Sequence, residues 1–489
     1  MLELDSGLRM LVGCKFATQS LKFCRTQSIY IVNPMLTTRL TIMDPIAIVL
    51  AGYLLIMLLV GSFAARRTSD PENFYLAGRS LSPPLLAATL CATILGASST
   101  LGMAGLGFSE GLSGAWWMLS GAIGLVVLSF IFAEKVRETG CYTLPELAGA
   151  KYDSRVQMGA SGLILISWVG IIAAQIVASG KLLNVLFGAH QEAFMIGSAL
   201  VFVLYTAHGG QRAIVRTDLI QFLILLVGIA LILWKALEMT GLDVLSGQSF
   251  PTSPARDELG VASLVLIVGS TYLVGPDIYS RLFSAKSPKA ARRSALLAAS
   301  ILVPLAFAIT LLGICARTLF PGIGAEEALP ALMTGTLPPW GQAIVAAALF
   351  SALMSSADTT LLTATSILTL DLYKKARPKS SSNHLMKVTR FGSALIGTLA
   401  LISALRMPEI IGTLLSAYTV FAGGLIVPVV AGFYKERLGL TPEGALAALL
   451  GGGGTALLLG TRWPLLGMVV SALLLFGVSQ VQSRSCIRG

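Results

Sequence analysis

Apolar runs of about 20 residues recur along almost the whole chain, and this repetition limits its fold more than any other feature. The runs lie near residues 45–64, 83–107, 114–133, 158–187, 191–207, 213–237, 260–282, 294–316, 340–370, 388–405, 409–433, 443–459 and 464–481. A helix of this length crosses the hydrocarbon of a bilayer with every backbone amide bonded inside its own segment. The pattern predicts an all-α polytopic membrane protein with about 13 transmembrane helices. The run at 443–459 includes Gly451–Gly454, a tract that weakens a helix by propensity and depends on close packing. Only 12% of the 489 residues are charged, about half the share in a soluble domain, so most of the surface must face lipid. The longest hydrophilic stretch after Met43 is about 20 residues, too short for a soluble domain.

A net charge of +11 would suggest nucleic acid as the partner of a soluble protein. Here the basic residues occupy short loops between apolar runs, which points to a lipid bilayer and to no nucleic acid. Lys181, Lys235, Arg256, Arg317, Arg406 and Arg462 fall in one set of alternate loops. The other Lys and Arg residues after residue 42 fall in the opposite set. Cytoplasmic loops carry the excess of Lys and Arg, so the chain is expected to lie in the cell membrane with its N-terminus outside and its C-terminus in the cytoplasm. Residues 1–42 break this pattern, placing Arg9, Lys15, Lys22, Arg25 and Arg39 on the outer side. They have no long apolar run and no signal-peptide layout. They read as a disordered extension, or as a start placed upstream of the true one at Met43. Residues 43–489 read as a single transmembrane domain.

The six cysteines are scattered without a CxxC pair, and there are three histidines, so no disulfide framework or Cys/His metal centre is expected. No HExxH, GxSxG or P-loop pattern is present, and the chain is not expected to be an enzyme. The polar residues inside the spans are more informative. Carrier sites near the bilayer midplane are often built from interrupted helices whose freed carbonyls coordinate cations. Ala87–Phe108 reads AATLCATILGASSTLGMAGLGF, with Ser98, Ser99 and Thr100 at mid-depth. Phe350–Ser366 reads FSALMSSADTTLLTATS, crowding Ser355, Ser356, Asp358, Thr359 and Thr360 into little more than one turn. Hydroxyl and carbonyl oxygens are hard ligands, right for Na+ and wrong for soft metals. A carboxylate such as Asp358 inside a span marks a functional site by default. The Ser/Thr cluster by itself reads equally as hydrogen bonding between helices.

Several segments carry a family resemblance. GGQRAIVRTDLIQ (Gly209–Gln221), NFYLAGRSLSP (Asn73–Pro83), GMAGLG (Gly102–Gly107), ALMSS (Ala352–Ser356), TSILTLDLYK (Thr365–Lys374) and GPDIYSRLFSAKSPKAARRS (Gly275–Ser294) occur in the order found in the sodium/solute symporter family. The chain resembles that family from Pro45 to about Tyr434. The resemblance implies a LeuT-type fold with two inverted five-helix repeats, about 83–237 and 260–433, and broken helices. It implies a sodium site formed by the backbone oxygens of Ala92, Leu95 and Ala352 and the hydroxyls of Ser355 and Ser356. It also implies a possible second cation site at Asp218, Asp358 and Thr359. Asp358 would either share that ion with Asp218 or pair with a cationic substrate, and Asp218 otherwise reads as a helix-start cap. Proline carriers of the family have an Asp where this chain has Ile94, and sugar carriers have Glu and Gln where it has Ser98 and Ser99.

Candidate solute contacts are Ser98, Ser99, Gln175, Thr271 and Tyr272. Trp116 and Trp117 read as membrane-interface anchors in preference to cavity residues, Tyr418 and Thr419 as either packing or pocket, and Arg281 and Lys286 as solvated cytoplasmic charges. The function expected is sodium-coupled symport: import of a small organic solute with sodium by alternating access. A proton-coupled carrier using Asp358 and Asp218 is one alternative. A membrane sensor retaining the fold is another, although it would want an appended signalling domain and the stretch after about Val481 reads too short for one.

Overall fold

A computed structural model describes residues 45–65, 71–188, 190–407, 409–460 and 462–488. The extension assigned to residues 1–42, and with it the side on which the N-terminus lies, falls outside the described residues. The described chain is helical, with two isolated β-bridges, Leu81 to Ala285 and Ser253 to Arg256, and no named strand. Among the described residues ten helices are long and apolar enough to cross a membrane, and the shorter apolar helices Pro45–Gly61, Pro83–Ile94 and Gln191–Ala207 accompany them.

The elements that matter here are α1 (Pro45–Ala65), α2 (Pro83–Ile94), α3 (Met103–Glu110), α4 (Trp116–Val127), α5 (Ser154–Phe187) and α6 (Gln191–Thr240). They are followed by α7 (Ser270–Val274), α8 (Pro276–Phe283), α9 (Pro288–Leu319), α10 (Pro339–Ser366) and α11 (Ile410–Phe421). The span containing α10 forms the centre: 94% of its most apolar window is buried, against 22% for the last span, Leu466–Ser483. The hydroxyl-rich sequence of α10 therefore faces other helices, not lipid. Helix starts follow the local sequence. Asp153 caps α5 by accepting from the amides of Arg155 and Val156 at 2.9 Å, and Ser287 caps α9 by accepting from the Ala290 amide at 3.2 Å.

Three interruptions shape the interior. The first separates α2 from α3, with a wider π-helical turn at Ser98–Gly102 between them. The second lies at Gly275, whose extended backbone (φ −56°, ψ 131°) ends α7 before Pro276 starts α8. The third divides α6 at Gly210, where φ is 63° and ψ is 179°, a conformation open to glycine and costly for other residues. Glycine also allows close helix contact: a Cβ on Gly313 of α9 would lie 2.7 Å from the Phe108 amide nitrogen of α3. The Gly451–Gly454 tract is helical, within Pro442–Leu459, and a Cβ on Gly452 would lie 2.8 Å from the Gly467 carbonyl oxygen.

Candidate ion and solute site

The end of α2 frees backbone oxygens. The Leu95 amide still bonds the Cys91 carbonyl at 2.9 Å, but the Gly96 amide turns back to the Ile94 carbonyl at 2.9 Å. The Ala97 amide donates instead to Gln175 Oε1 of α5, also at 2.9 Å. The carbonyls of Ala92 and Thr93 thus lose the donors four residues on that a continuous helix would supply. Hydroxyls from α10 take their place. Ser355 Oγ donates to the Ala92 oxygen at 2.9 Å and lies 3.0 Å from that of Ala352, while Ser356 Oγ lies 2.7 Å from the Thr93 oxygen and 3.5 Å from that of Ala92.

Four of the sodium-site residues expected from sequence, Ala92, Ala352, Ser355 and Ser356, therefore converge. Leu95 is buried beside them as the first residue past α2. Thr93 joins them through its carbonyl, a contribution that depends on where the helix breaks and has no signature in residue type. The cluster contains only oxygen, and rotating either hydroxyl would turn a lone pair toward a cation placed between the helices. Gly96 leaves room for it: a Cβ there would lie 2.7 Å from Ser356 Cβ and 2.8 Å from Gln175 Oε1. Gly96→Ala is expected to abolish sodium-stimulated uptake while the protein still reaches the membrane. Wild-type sodium dependence in that variant, measured in vesicles, would contradict the packing.

A second polar cluster lies nearby. Arg281 of α8 is fully buried and its Nη2 donates to Asp218 Oδ2 at 3.0 Å, to Thr93 Oγ1 at 3.4 Å and to Thr359 Oγ1. Thr89 also donates to Asp218 Oδ2. The expectation that Arg281 is a solvated cytoplasmic charge is therefore corrected: the break at Gly275 turns α8 inward and carries its arginine into the interior. Lys286, beyond the end of α8, is exposed as expected. Asp218 and Thr359 meet on the Arg281 guanidinium, whereas Asp358 accepts from Thr206 Oγ1 at 3.0 Å. Asp218 Oδ1 and Asp358 Oδ2 have no hydrogen-bond partner among the described residues.

Next to the Ser356 side of the oxygen cluster lies a small central cavity, with about 30 Å³ of space for water centres. Ser98, Gln175, Thr271 and Tyr272 line it, as expected from sequence. Ser99 is buried but is not among the lining residues. Tyr418 lines the cavity, which decides between its two readings, and Thr419 is spent on a hydrogen bond to the Leu415 carbonyl at 2.7 Å. Trp117 is also corrected. It is buried, with its ring 6.2 Å from that of Tyr418 of α11, because α4 packs against α7 and α9. Trp116 is partly exposed and donates to the Pro251 carbonyl at 2.8 Å. Trp168 and Asp277 also line the cavity, and neither was singled out in the sequence. Asp277 had one usable signal, an acidic residue just after a Gly-Pro break.

The model of the sodium:solute symporter family matches residues 74–452. The chain belongs to this family. It is a sodium-coupled solute symporter of the multi-pass membrane type. It is similar to the sodium/pantothenate symporter of Escherichia coli (strain K12), 29% identical over 430 residues covering 83% of this chain and 88% of the relative. It is likewise similar to the sodium/proline symporter of the same organism, at 26% identity with 84% and 87% covered. Among solved structures it shares its fold with a Na+-coupled sialic acid symporter in a substrate-bound outward-open state, with a TM-score of 0.75, 18% identity, and 89% and 98% of the two chains covered. In this symporter the broken α2, the hydroxyl face of α10 and the α7–α8 break bring both polar clusters and the cavity into one region.

Proposed function

We propose that this symporter imports a small organic solute with sodium by alternating access. The sodium ion is held by Ala92, Leu95, Ala352, Ser355 and Ser356, and the solute by Ser98, Gln175, Thr271 and Tyr272 in the adjoining cavity, with Ser99 behind it. The observation that carries this reading is the convergence of Ser355 and Ser356 on the freed Ala92 and Thr93 carbonyls, within 2.7–3.5 Å. Because Ser356 belongs to both the ion cluster and the cavity lining, ion and solute would order the same side chain, which couples their binding. The two inverted repeats, about 83–237 and 260–433, would rock about this shared region. Transport, and not catalysis, is the chain's task.

Asp218, Asp358 and Thr359 form the proposed second cation site, with Arg281 as its resident competitor. The guanidinium holds Asp218 Oδ2 and Thr359, leaving Asp218 Oδ1 and Asp358 Oδ2 for an entering ion. The loop-charge bias supports a cytoplasmic C-terminus and inward transport. On the sparsely basic side, Lys181, Lys235 and Arg256 are paired with Glu326, Glu238 and Glu110, which lowers the positive charge there further. Import would be driven by the sodium gradient and by the membrane potential, worth about 2.3 kcal/mol per charge per 100 mV.

The relatives named for pantothenate and proline leave the solute class open. The test is uptake by proteoliposomes of labelled amino acids, carboxylates, vitamins and choline-like cations, with an inward sodium gradient, a proton gradient or neither. Accumulation that requires sodium is expected. Accumulation that follows the proton gradient and ignores sodium would overturn the sodium assignment.

A further inference from the structure

Among the described residues the central cavity has one charged wall residue. Among its described lining residues Asp277 is the only one charged at neutral pH, and no Lys, Arg or His accompanies it. Asp277 keeps accessible surface, although its neighbours Pro276 and Ile278 are buried. It takes part in none of the ion pairs found among the described residues. The cation one turn further along α8, Arg281, is committed to Asp218. The cavity thus presents an uncompensated negative charge.

The rest of the wall suits the opposite charge. Trp168, Tyr272 and Tyr418 contribute three aromatic rings. Two are fixed from behind: Tyr418 packs on Trp117 at 6.2 Å, and Trp168 meets Phe421 edge to face at 5.0 Å. A positively charged nitrogen near such faces gains cation–π attraction, more so where water is excluded. An anionic group in the same place would meet Asp277 with no basic side chain to balance it.

We propose that the transported solute carries a positively charged amino or ammonium nitrogen, which lies against the Asp277 carboxylate within the Trp168, Tyr272 and Tyr418 rings. This rests on reading the cavity as the solute site. Asp277 also lies in the first turn of α8, where an acidic side chain favours the helix N-terminus. Asn keeps the size and polarity of the side chain and removes its charge, so the substitution tests the charge.

Sodium-driven uptake of choline, ethanolamine, proline, glucose and pantothenate would be measured in proteoliposomes for the wild type, Asp277→Asn, Asp277→Ala and Tyr418→Ala. Each variant would first be checked for a single symmetric size-exclusion peak. The wild type is expected to carry one of the three solutes with a charged nitrogen. Asp277→Asn is expected to raise its KM by about 10- to 100-fold, the range for losing a hydrogen bond to a charged group, and Asp277→Ala to do no better. An unchanged KM in Asp277→Asn with a raised KM in Tyr418→Ala would overturn the charge assignment and leave the cavity as the solute site. Uptake of glucose or pantothenate alone would also overturn it. An unchanged KM in Tyr418→Ala and in both Asp277 variants would overturn the cavity reading itself.

Discussion

Replacing Asp218 with Asn is expected to lower the stability of the folded carrier by about 3–5 kcal/mol, the cost of breaking a buried ion pair by removing one partner. The Asp218 and Arg281 side chains are both fully buried, 3.0 Å apart. Nε and Nη1 of Arg281 have no other partner among the described residues, so the guanidinium depends on Asp218 for its charge balance. Asn leaves a dipole where a full charge was needed. Replacing both partners by apolar residues of similar size, as in Asp218→Leu with Arg281→Met, should recover much of the lost stability. It should not recover transport, because the second polar cluster would be gone. Thermal unfolding of purified protein in detergent, followed by size exclusion, measures the first effect. A single variant that melts with the wild type would mean that the pair is not formed in the membrane.

The double substitution Ser355→Ala with Ser356→Ala is expected to remove sodium stimulation of uptake. It deletes both side-chain oxygens of the proposed ion cluster and leaves only backbone carbonyls. Each lost contact to a charged group is worth about 1.5–3 kcal/mol, so sodium affinity should fall on the order of 100-fold or more. The freed Ala92 and Thr93 carbonyls also lose their donors, a smaller cost of about 1–3 kcal/mol each, and the variant should remain folded. Sodium titration of uptake in vesicles, alongside a melting curve, separates lost ion binding from lost structure. Wild-type sodium affinity in the double variant would remove these residues from the site.

The oxygen cluster proposed to hold sodium is legible in the sequence to the extent that it is written in local motifs. ALMSS and the Gly-rich second span supplied a hydroxyl pair and a helix break, and family resemblance paired them. The Thr93 carbonyl was not legible, because backbone oxygens carry no residue-type signal. Arg281 reads as a solvated charge for a related reason. Its segment, GPDIYSRLFSAK, resembles a cytoplasmic loop in composition, and charge counting placed it in water. The turn at Gly275 sends α8 inward, and Asp218, 63 positions earlier in the chain, makes burial of the guanidinium tolerable. Trp117 reads as an interface anchor by residue type, but its ring is buried and stacks on Tyr418 of α11.

The sequence alone determined that this chain is a helical membrane protein, that small and hydroxyl residues concentrate in two spans, and that it looks like a sodium-coupled carrier. Those properties follow from hydropathy, propensity and short motifs, which act over one or two helical turns. Tertiary structure decided which oxygens share a site, that Arg281 and Asp218 neutralise each other, and that Asp277 stands alone in the cavity wall. These are facts of charge balance and desolvation between residues far apart in the chain, and a buried charge is set by the partner that folding brings to it.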